Sequence, residues 1–350
     1  MARRPDNPRP GLLVIDKPQG LTSHDVVSRV RRLAHTRKVG HGGTLDPMAT
    51  GVLVIGIGKA TKLLTWVSGH SKEYRATIRF GVTTNTDDAE GVATAAVGCA
   101  SLSEEQLEAA LAPLRGDIMQ VPSTVSAIKV NGKRAYALAR AGEDVELAAR
   151  PVHISRLEVL SPPRPVECML EESDADNAPD EQVPSGPVRV VDVDVVVECS
   201  SGTYVRALAR DAGDALGVGA HLTALRRTRV GDVHLDTAMT LEGLSAAVEA
   251  ATPEGESDVE PVLPLVPLGD AARSMFPSLL MTEAEAGAFA HGQAPRRSRS
   301  ELAQGAVEAG YCPTSAPEEE PAPIAAVAPD GTVLGLLRID AARLRTVLVF

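Results

Sequence analysis

Cysteine and aromatic residues are scarce in this sequence of 350 residues. The four cysteines lie far apart, with no Cys-x-x-Cys spacing and no clustered histidines beside them: Cys99, Cys168, Cys199 and Cys312. This arrangement indicates neither a zinc site nor a disulfide framework, so we expect reduced thiols. Aromatic residues make up 3% of the chain, which argues against the extended base-stacking platforms of single-strand-binding proteins.

Long apolar runs are also missing. No stretch approaches the roughly 20 apolar residues that a helix needs to cross a bilayer. The run at residues 11–16, which follows a basic and proline-rich start, is too short for a signal peptide. We therefore expect a cytoplasmic protein with no membrane partner. Its length suits a main domain with a buried core and a small second domain.

The formal net charge of -11 conflicts at first with a nucleic-acid partner, because phosphate binding depends on Lys and Arg. The charge is unevenly distributed, however. In residues 1–79, Lys and Arg outnumber Asp and Glu by 14 to 5, and acidic residues concentrate in the segments 162–187, 253–260 and 318–320. The N-terminal part is therefore a candidate RNA-binding face that recognises charge and shape.

Hydrophobic periodicity divides the chain into a large domain and a small one. Strand-like and helix-like segments alternate through residues 1–251, the predicted main domain. They are interrupted at about 162–187 by a Pro- and acid-rich stretch with the composition of a disordered insertion. A second stretch of this kind lies in a predicted linker, 252–275. Residues 276–350 contain short strand-like runs that predict a small β-rich domain.

The densest cluster of candidate chemical groups lies at residues 40–53, with the sequence GHGGTLDPMATGVL. Pro47 disfavours helical geometry at Asp46 and holds that carboxylate on extended backbone. The surrounding glycines leave room for a ribose-phosphate backbone to approach. In isolation, an Asp-Pro turn with no chemical role is the simpler interpretation of such a motif.

Several other motifs accompany this loop along the chain. They are GLLVIDKPQGLTS at 11–23, KEYR at 72–75, VPSTVSAIK at 121–129, GKRAY at 132–136, SGTYVR at 201–206, and GAHL at 219–222 followed by LRR at 225–227. Together with the Asp46 loop, they resemble the motifs of TruB-type pseudouridine synthases over about residues 11–245. So many blocks in series make coincidence remote, whereas any single block would be weak.

The resemblance implies a fold and an activity. The fold is α+β, with a mixed, largely antiparallel sheet and flanking helices, followed by a small C-terminal PUA-like domain that binds RNA. The activity is the isomerisation of uridine-55 in the T arm of tRNA to pseudouridine, by a monomer and without a metal or other cofactor. The attacking group adds either to ribose C1′ or to uracil C6, and the sequence does not distinguish between the two.

The resemblance also assigns the catalytic residues. Asp46 is implied to be the nucleophile, a role that suits an ionised carboxylate because it can attack, let the base detach and leave again. Arg206 is implied to pair with Asp46 and to keep the pKa of that carboxylate low enough for it to be anionic. Tyr74 is implied to cover the target uracil, and its phenol is a candidate for removing the C5 proton. In isolation, Arg206 would be assigned to a helix surface and Tyr74 to a half-buried strand.

Four further residues are implied to bind the substrate. Tyr204 and Leu225 match positions that line the uridine pocket, although in isolation they would be assigned to the core. His41 matches a position that contacts RNA beside the flipped nucleotide, and Lys17 is a candidate phosphate contact. In isolation, His41 would be assigned to a turn and Lys17 to the solvated surface. One departure is Gly42, because TruB-type sequences usually carry Thr there.

A non-catalytic RNA-binding protein, such as a tRNA folding chaperone, is the alternative interpretation. A protein of this kind would need the basic face and the C-terminal domain, but it would not need the carboxylate of Asp46. The presence of Asp46, Tyr74 and Arg206 in their motifs therefore favours the enzyme over the chaperone.

Overall fold

The structure is a computed structural model that describes residues 9–123, 129–130, 133–134, 147–170, 185–251, 261–297, 322–340 and 343–350. Two of the acidic segments, 253–260 and 318–320, lie outside the described residues. Within the described ranges, no helix combines the length and the apolar character that spanning a membrane requires.

The described residues form 19 strands. They are β1 (Gly11–Lys17), β2 (Val39–His41), β3 (Thr50–Ile57), β4 (Lys72–Phe80), β5 (Thr83–Thr84), β6 (Ala93–Ala95), β7 (Gly116–Gln120), β8 (Lys129–Val130), β9 (Lys133–Arg134), β10 (Arg150–Val159), β11 (Arg164–Leu170), β12 (Gly186–Cys199), β13 (Ala220–Val230), β14 (Val233–His234), β15 (Val266–Pro267), β16 (Ser278–Leu280), β17 (Ile324–Val327), β18 (Val333–Asp340) and β19 (Arg343–Val349).

Eleven of these strands form one main sheet. Its path runs in the order β15-β1-β3-β13-β4-β12-β10-β7, with β2 beside β3, β11 beside β12 and β14 beside β13. The β3–β13 pairing is parallel, and the other pairings of this sheet are antiparallel. The mixed, largely antiparallel sheet that the resemblance implies is therefore confirmed.

Seven α-helices flank the sheets in the described part of the chain. They are α1 (Ser23–Leu33), α2 (Leu64–Gly69), α3 (Glu104–Leu111), α4 (Val205–Leu216), α5 (Leu241–Ala251), α6 (Leu268–Met275) and α7 (Glu283–Ala290). A capping box begins α1, where the side chains of Thr22 and Asp25 each accept a hydrogen bond from the other's backbone N–H. Gly217, in the left-handed conformation at φ 70°, ends α4.

Strand β3, at the centre of the sheet, is buried on both faces. Leu53 and Ile55 pack in the main core on one face, and Val52 and Val54 pack in a second core on the other. This explains the almost continuous apolar sequence of the strand. The Asp46 loop leads directly into β3, so the loop is attached to one of the most rigid parts of the molecule.

Part of the predicted disordered insertion is ordered. Residues Arg164–Leu170 form β11, which pairs with β12 from Arg164 opposite Asp192 to Leu170 opposite Gly186. The two prolines near its start and the glutamate within it obscure the alternation of the strand. Pro165 is compatible with this position because β11 flanks the sheet, where one row of N–H groups needs no partner. Residues 171–184 of the predicted insertion lie outside the described residues.

The predicted linker 252–275 also contains regular structure. Val266–Pro267 pairs with β1, and α6 packs its buried Leu268 and Ala272 into the second core. That core includes Leu336 of β18, so it joins the main sheet to the C-terminal sheet. The C-terminal sheet has the order β16-β17-β18-β19, which is the small β-rich unit that the sequence predicts.

Candidate active site

The loop between β2 and β3 is held at successive backbone positions. The N–H of Gly42 donates to the carbonyl of Val54 at 2.8 Å. Leu45 is bound on both sides by the hydroxyl of Ser23, which accepts from its N–H at 2.8 Å and donates to its carbonyl at 3.1 Å. The carbonyl of Pro47 accepts from the N–H of Gly20 at 2.8 Å. Asp46 therefore lies on a loop whose path is set by its neighbours.

Arg227 of β13 reaches the same loop. Its side chain is fully buried, and it donates from Nη2 to the carbonyl of Gly43 at 3.1 Å and from Nη1 to that of Thr44 at 3.3 Å. Its Nε donates to the carbonyl of Val52 at 2.8 Å. Gly43 has φ +101°, a conformation that side chains rarely adopt. One arginine thus ties the loop to the strand that follows it.

Lys17 holds this loop and is not placed to contact RNA. It is 0% exposed, and its ammonium donates to the carbonyls of Pro18 at 2.9 Å, Leu21 and Pro47 at 3.1 Å. Burial lowers its pKa to about 8, with the nearby carboxylates Glu90 and Asp46 opposing that shift. The prediction of a phosphate contact at Lys17 is therefore wrong for this structure, because all three donors of the ammonium are used inside the protein.

A cavity of about 230 Å³ lies beside the loop. Its lining contains five of the predicted site residues: Asp46, Tyr74, Tyr204, Arg206 and Leu225. The same wall includes Gly43, Thr44, Leu45, Ser68, Lys72, Gly202, Thr203, Val205 and Arg227. Residues from the first and last thirds of the main domain thus meet around one space.

Arg206, at the start of α4, links two carboxylates. Its Nε lies 3.0 Å from Oδ2 of Asp46, and its Nη1 lies 3.2 Å from Oδ2 of Asp88. Nη1 also donates to the carbonyl of Thr86 at 2.8 Å. The side chains of Arg206 and Asp88 are each 3% exposed, whereas that of Asp46 is 35% exposed. The structure therefore brings Arg206 and Asp46 together as the sequence predicts, with Asp88 as an additional partner.

The pKa of Asp46 is set by opposing contributions. Burial of the carboxylate raises its pKa above the ordinary value. The charge of Arg206 opposes this shift, and the like charge of Asp88 adds to it. Arg206 limits the rise without cancelling it, because desolvation and a second carboxylate outweigh the ion pair. Neither contribution is visible in the motif that contains Asp46.

Strand pairing places Tyr74 beside Arg227. The two residues are directly opposite each other on the antiparallel strands β4 and β13. Burial raises the pKa of the Tyr74 phenol, while the charge of Arg227 opposes the rise. Tyr74 is thus a neutral, buried aromatic side chain at the wall of the cavity.

Tyr204 and His41 differ in their relation to the cavity. The backbone of Tyr204 is fixed by the Gln120 side chain, which accepts from its N–H at 2.8 Å and donates to its carbonyl at 3.1 Å. His41 ends β2 and is half-buried, and burial lowers the pKa of its imidazole. His41 does not belong to the described cavity lining, so its predicted role beside the substrate is not that of a pocket wall.

Sequence reasoning missed three residues at this site. Asp88 lies in a run of Thr, Asn and Asp that is typical of a turn. Lys72 and Arg227 were within motifs that pointed to TruB-type enzymes, yet nothing in those motifs showed that both side chains are buried against the cavity. Among the described residues, no group of three or more His, Cys, Asp and Glu side chains is arranged to hold a metal ion.

Two solved structures contain a chain with a similar fold. A chain in the structure of an H/ACA RNP bound to a substrate RNA containing 2′-deoxyuridine matches with a TM-score of 0.61 and 22% identity, over 97% of this chain and 84% of that chain. A chain in a Cbf5-Nop10-Gar1 complex matches with a TM-score of 0.61 and 21% identity, over the same shares. The predicted fold class, a pseudouridine synthase fold, is confirmed.

Sequence comparisons define the family. Residues 31–205 match the N-terminal domain of the TruB family of pseudouridylate synthases, and residues 206–267 match the C-terminal domain of tRNA pseudouridylate synthase B. The tRNA pseudouridine synthase B of Arthrobacter sp. (strain FB24) is 51% identical over 97% of this chain and 96% of that relative. The protein of the same name from Mycobacteroides abscessus is 49% identical over the same shares. The chain belongs to the TruB family.

Proposed function

We propose that this protein isomerises uridine-55 in the T arm of tRNA to pseudouridine, with Asp46 as the nucleophile. The observation that supports this proposal most directly is the position of Asp46, whose carboxylate meets Arg206 at the wall of a cavity that also contains Tyr74. The cavity, at about 230 Å³, is smaller than the roughly 300–1,000 Å³ pockets of drug-sized ligands. This size suits a single base turned out of an RNA stack.

The RNA is bound by a basic surface in the N-terminal part of the chain. Six cationic residues of α1 and of the segments on either side of β2 and β3 are exposed: Arg29, Arg32, Arg37, Lys38, Lys59 and Lys62. Phosphate contacts with such a surface offset the few kcal/mol needed to extrude one nucleotide. Sequence specificity then comes from the shape of the T arm and from the cavity that receives the uridine.

The side chains around the cavity have separate roles in the reaction. Asp46, when ionised, attacks the nucleoside, and Arg206 orients that carboxylate while balancing its charge. Tyr74 and Leu225 contact the uracil ring and restrict its rotation after it detaches. The phenol of Tyr74, at the cavity wall, takes part in removal of the C5 proton. As the family resemblance implies, we further propose a monomer that acts in the cytoplasm.

The decisive experiment follows pseudouridine formation in an unmodified tRNA transcript, with no metal or nucleotide added beyond the buffer. Wild type should convert the T-arm uridine, and a transcript with cytidine at position 55 should give no product. Asp46→Asn should lower the rate by at least about 1,000-fold while it still binds the transcript. Asp117→Asn is the matched control, because the side chain of Asp117 is 93% exposed and lies on β7, outside the cavity lining.

Each outcome of this experiment separates the enzyme from the alternative. Full activity in Asp46→Asn would overturn the assignment of the nucleophile. If wild type and Asp46→Asn both bind and refold the transcript but neither modifies it, the tRNA folding chaperone replaces the enzyme. A thermal melt of Asp46→Asn shows whether the loss of the ion pair to Arg206 has unfolded the protein.

A further inference from the structure

Two basic side chains in the cavity wall have no carboxylate partner among the described residues. Lys72 is 7% exposed and Arg227 is 0% exposed. The Nζ of Lys72 donates to the carbonyls of Ser68 at 2.9 Å and His70 at 2.6 Å. The acidic groups of the described ion pairs all face other cations. Lys72 and Arg227 thus bring two positive charges into the cavity wall and rely on neutral acceptors.

The two cations flank the same point of the wall. A β-carbon built on Gly43 would lie 3.6 Å from Nη1 of Arg227 and 3.7 Å from Cε of Lys72. Because Gly43 has no side chain, that point is open towards the cavity that both residues line. Two of the three N–H donors of Lys72 are used by described residues, so one remains for a ligand.

Such an arrangement lowers the stability of the folded protein. Burying a cation without a carboxylate costs free energy, and a second cation beside it adds repulsion. The backbone carbonyls that Lys72 and Arg227 bind could be satisfied by neutral donors. Uncompensated charge in a cleft therefore indicates a site at which a negative charge arrives or develops.

We propose that Lys72 and Arg227 stabilise the negative charge that the uracil carries while it is detached from ribose. The inference rests on the proposed function. In the route through C1′, the C1′–N1 bond breaks as Asp46 bonds to C1′, and the electron pair leaves with the base, where it is delocalised over N1, O2 and O4. After the ring turns, a pair from C5 forms the C1′–C5 bond as the bond between C1′ and Asp46 breaks, which leaves a neutral ring. A base then takes the C5 proton and N1 gains a proton, which gives pseudouridine.

The two residues act differently in this step. Lys72 has an N–H that can donate to a carbonyl oxygen of the detached ring, so it is the catalytic residue of the pair. Arg227 acts through its charge and its position, because its guanidinium already binds three carbonyls. Charge in a site shielded from water stabilises a developing anion more than the same charge in solution does.

The first test measures single-turnover pseudouridine formation at saturating enzyme. Lys72→Met should lower the rate constant by about 100-fold, while the Kd for the tRNA transcript stays close to that of wild type. Lys72→Arg, which keeps the charge, should recover most of the rate. Arg156→Met removes an exposed cation of β10 that pairs with Glu158, and it should leave the rate unchanged.

The second test changes the base and not the protein. A transcript with 5-fluorouridine at the target position carries a ring that accommodates negative charge better. Disappearance of the 5-fluorouridine reports detachment of the base, even though the product differs from pseudouridine. The ratio of the wild-type rate to the Lys72→Met rate should be much smaller on this transcript than on the uridine transcript. Because each protein sample is compared with itself on two substrates, partial misfolding of Lys72→Met cancels.

The outcomes are distinct. Equal rates for Lys72→Met and wild type, an effect confined to Kd, or the same rate ratio on both transcripts would each overturn the proposal. Rescue by Lys72→Arg together with a smaller ratio on 5-fluorouridine supports it. If wild type forms no pseudouridine, the proposed function is overturned. The role of Lys72, which rests on that function, is overturned with it.

Discussion

Two buried arginines line the same cavity and differ in their charged partners. Arg206 meets the carboxylates of Asp46 and Asp88, whereas Arg227 donates to backbone carbonyls. The charge of Arg206 is therefore balanced within the protein. In the proposed mechanism, the charge of Arg227, with that of its neighbour Lys72, acts on the substrate. One cavity would then hold an anionic nucleophile and stabilise an anionic intermediate at the same time.

The largest difference between the two arginines is expected on replacement by methionine. Arg206→Met leaves Asp88 buried without its cation, which should lower the free energy of unfolding by about 3–5 kcal/mol. It should also raise the pKa of Asp46 further, so that the acid limb of the rate–pH profile moves to higher pH. Thermal or urea unfolding and rate measurements between pH 4 and 7, a range set about the ordinary carboxyl pKa of roughly 4, check both effects.

Arg227→Met is the matched comparison for Arg206→Met. It leaves carbonyls and no carboxylate without a partner, and each such buried acceptor costs about 1–3 kcal/mol. The acid limb should move much less than in Arg206→Met, because Arg206 is the leading charge that lowers the pKa of Asp46. If both variants shift the acid limb equally, then Arg206 and Arg227 do not differ in their effect on the pKa of Asp46.

A smaller effect is expected for Asp88→Asn. Asp46 must be ionised to attack, and its raised pKa makes activity decline as the pH falls through that value. Removing the like charge of Asp88 lowers the pKa of Asp46, so the acid limb should move to lower pH. Asp87→Asn is the neighbouring control: Asp87 pairs with Arg210, and asparagine tolerates its positive φ of 59°. An acid limb that moves equally in both variants would contradict the assignment to Asp88.

The smallest effect is expected at Gly42, on the side of the loop that faces α2. A β-carbon on Gly42 would lie 2.6 Å from Cγ1 of Val67, so Gly42→Ala should overpack this contact and lower the free energy of unfolding by about 1–3 kcal/mol. The rate of pseudouridine formation should fall several-fold, because the shift reaches Gly43 and Thr44, whose carbonyls accept hydrogen bonds from Arg227. The double variant Gly42→Ala/Val67→Ala should lose less free energy of unfolding than the two single variants lose together. A double-mutant cycle measured by urea unfolding checks this.

Gly69→Ala provides the control for this contact. Gly69 ends the same helix, and a β-carbon there would meet nothing within 4 Å. Its stability and rate should match those of wild type. If Gly42→Ala is equally harmless, then Val67 does not constrain the loop. The glycine that replaces the usual threonine of TruB-type sequences would then need another explanation.

The motifs predicted which residues meet at the cavity. Asp46, Tyr74, Tyr204, Arg206 and Leu225 meet around one cavity as the motifs imply. It failed for Lys17, whose motif does not reveal that the ammonium is enclosed by carbonyls. Burial of a long polar side chain depends on the elements that pack over it, and those elements lie elsewhere in the sequence.

The fold shows the same division. Apolar periodicity and turn residues located most strands and helices of the main domain, because those signals are local. The strand at Arg164–Leu170 and the helix at Leu268–Met275 were missed within segments judged by their acidic or proline-rich composition. Both are stabilised by contacts with distant parts of the chain, β12 in one case and the second core in the other.

By itself, the sequence determined the family and the mixed sheet and singled out Asp46 as the candidate nucleophile, because each is encoded by residue types at short and regular spacing. Only the tertiary structure decided how the charges of the site are balanced. Arg227 lies 184 residues from Gly43 along the chain and binds its carbonyl, and Asp88 reaches Arg206 only through folding. Desolvation and Coulomb interactions depend on distances in space, which no local pattern of residues specifies.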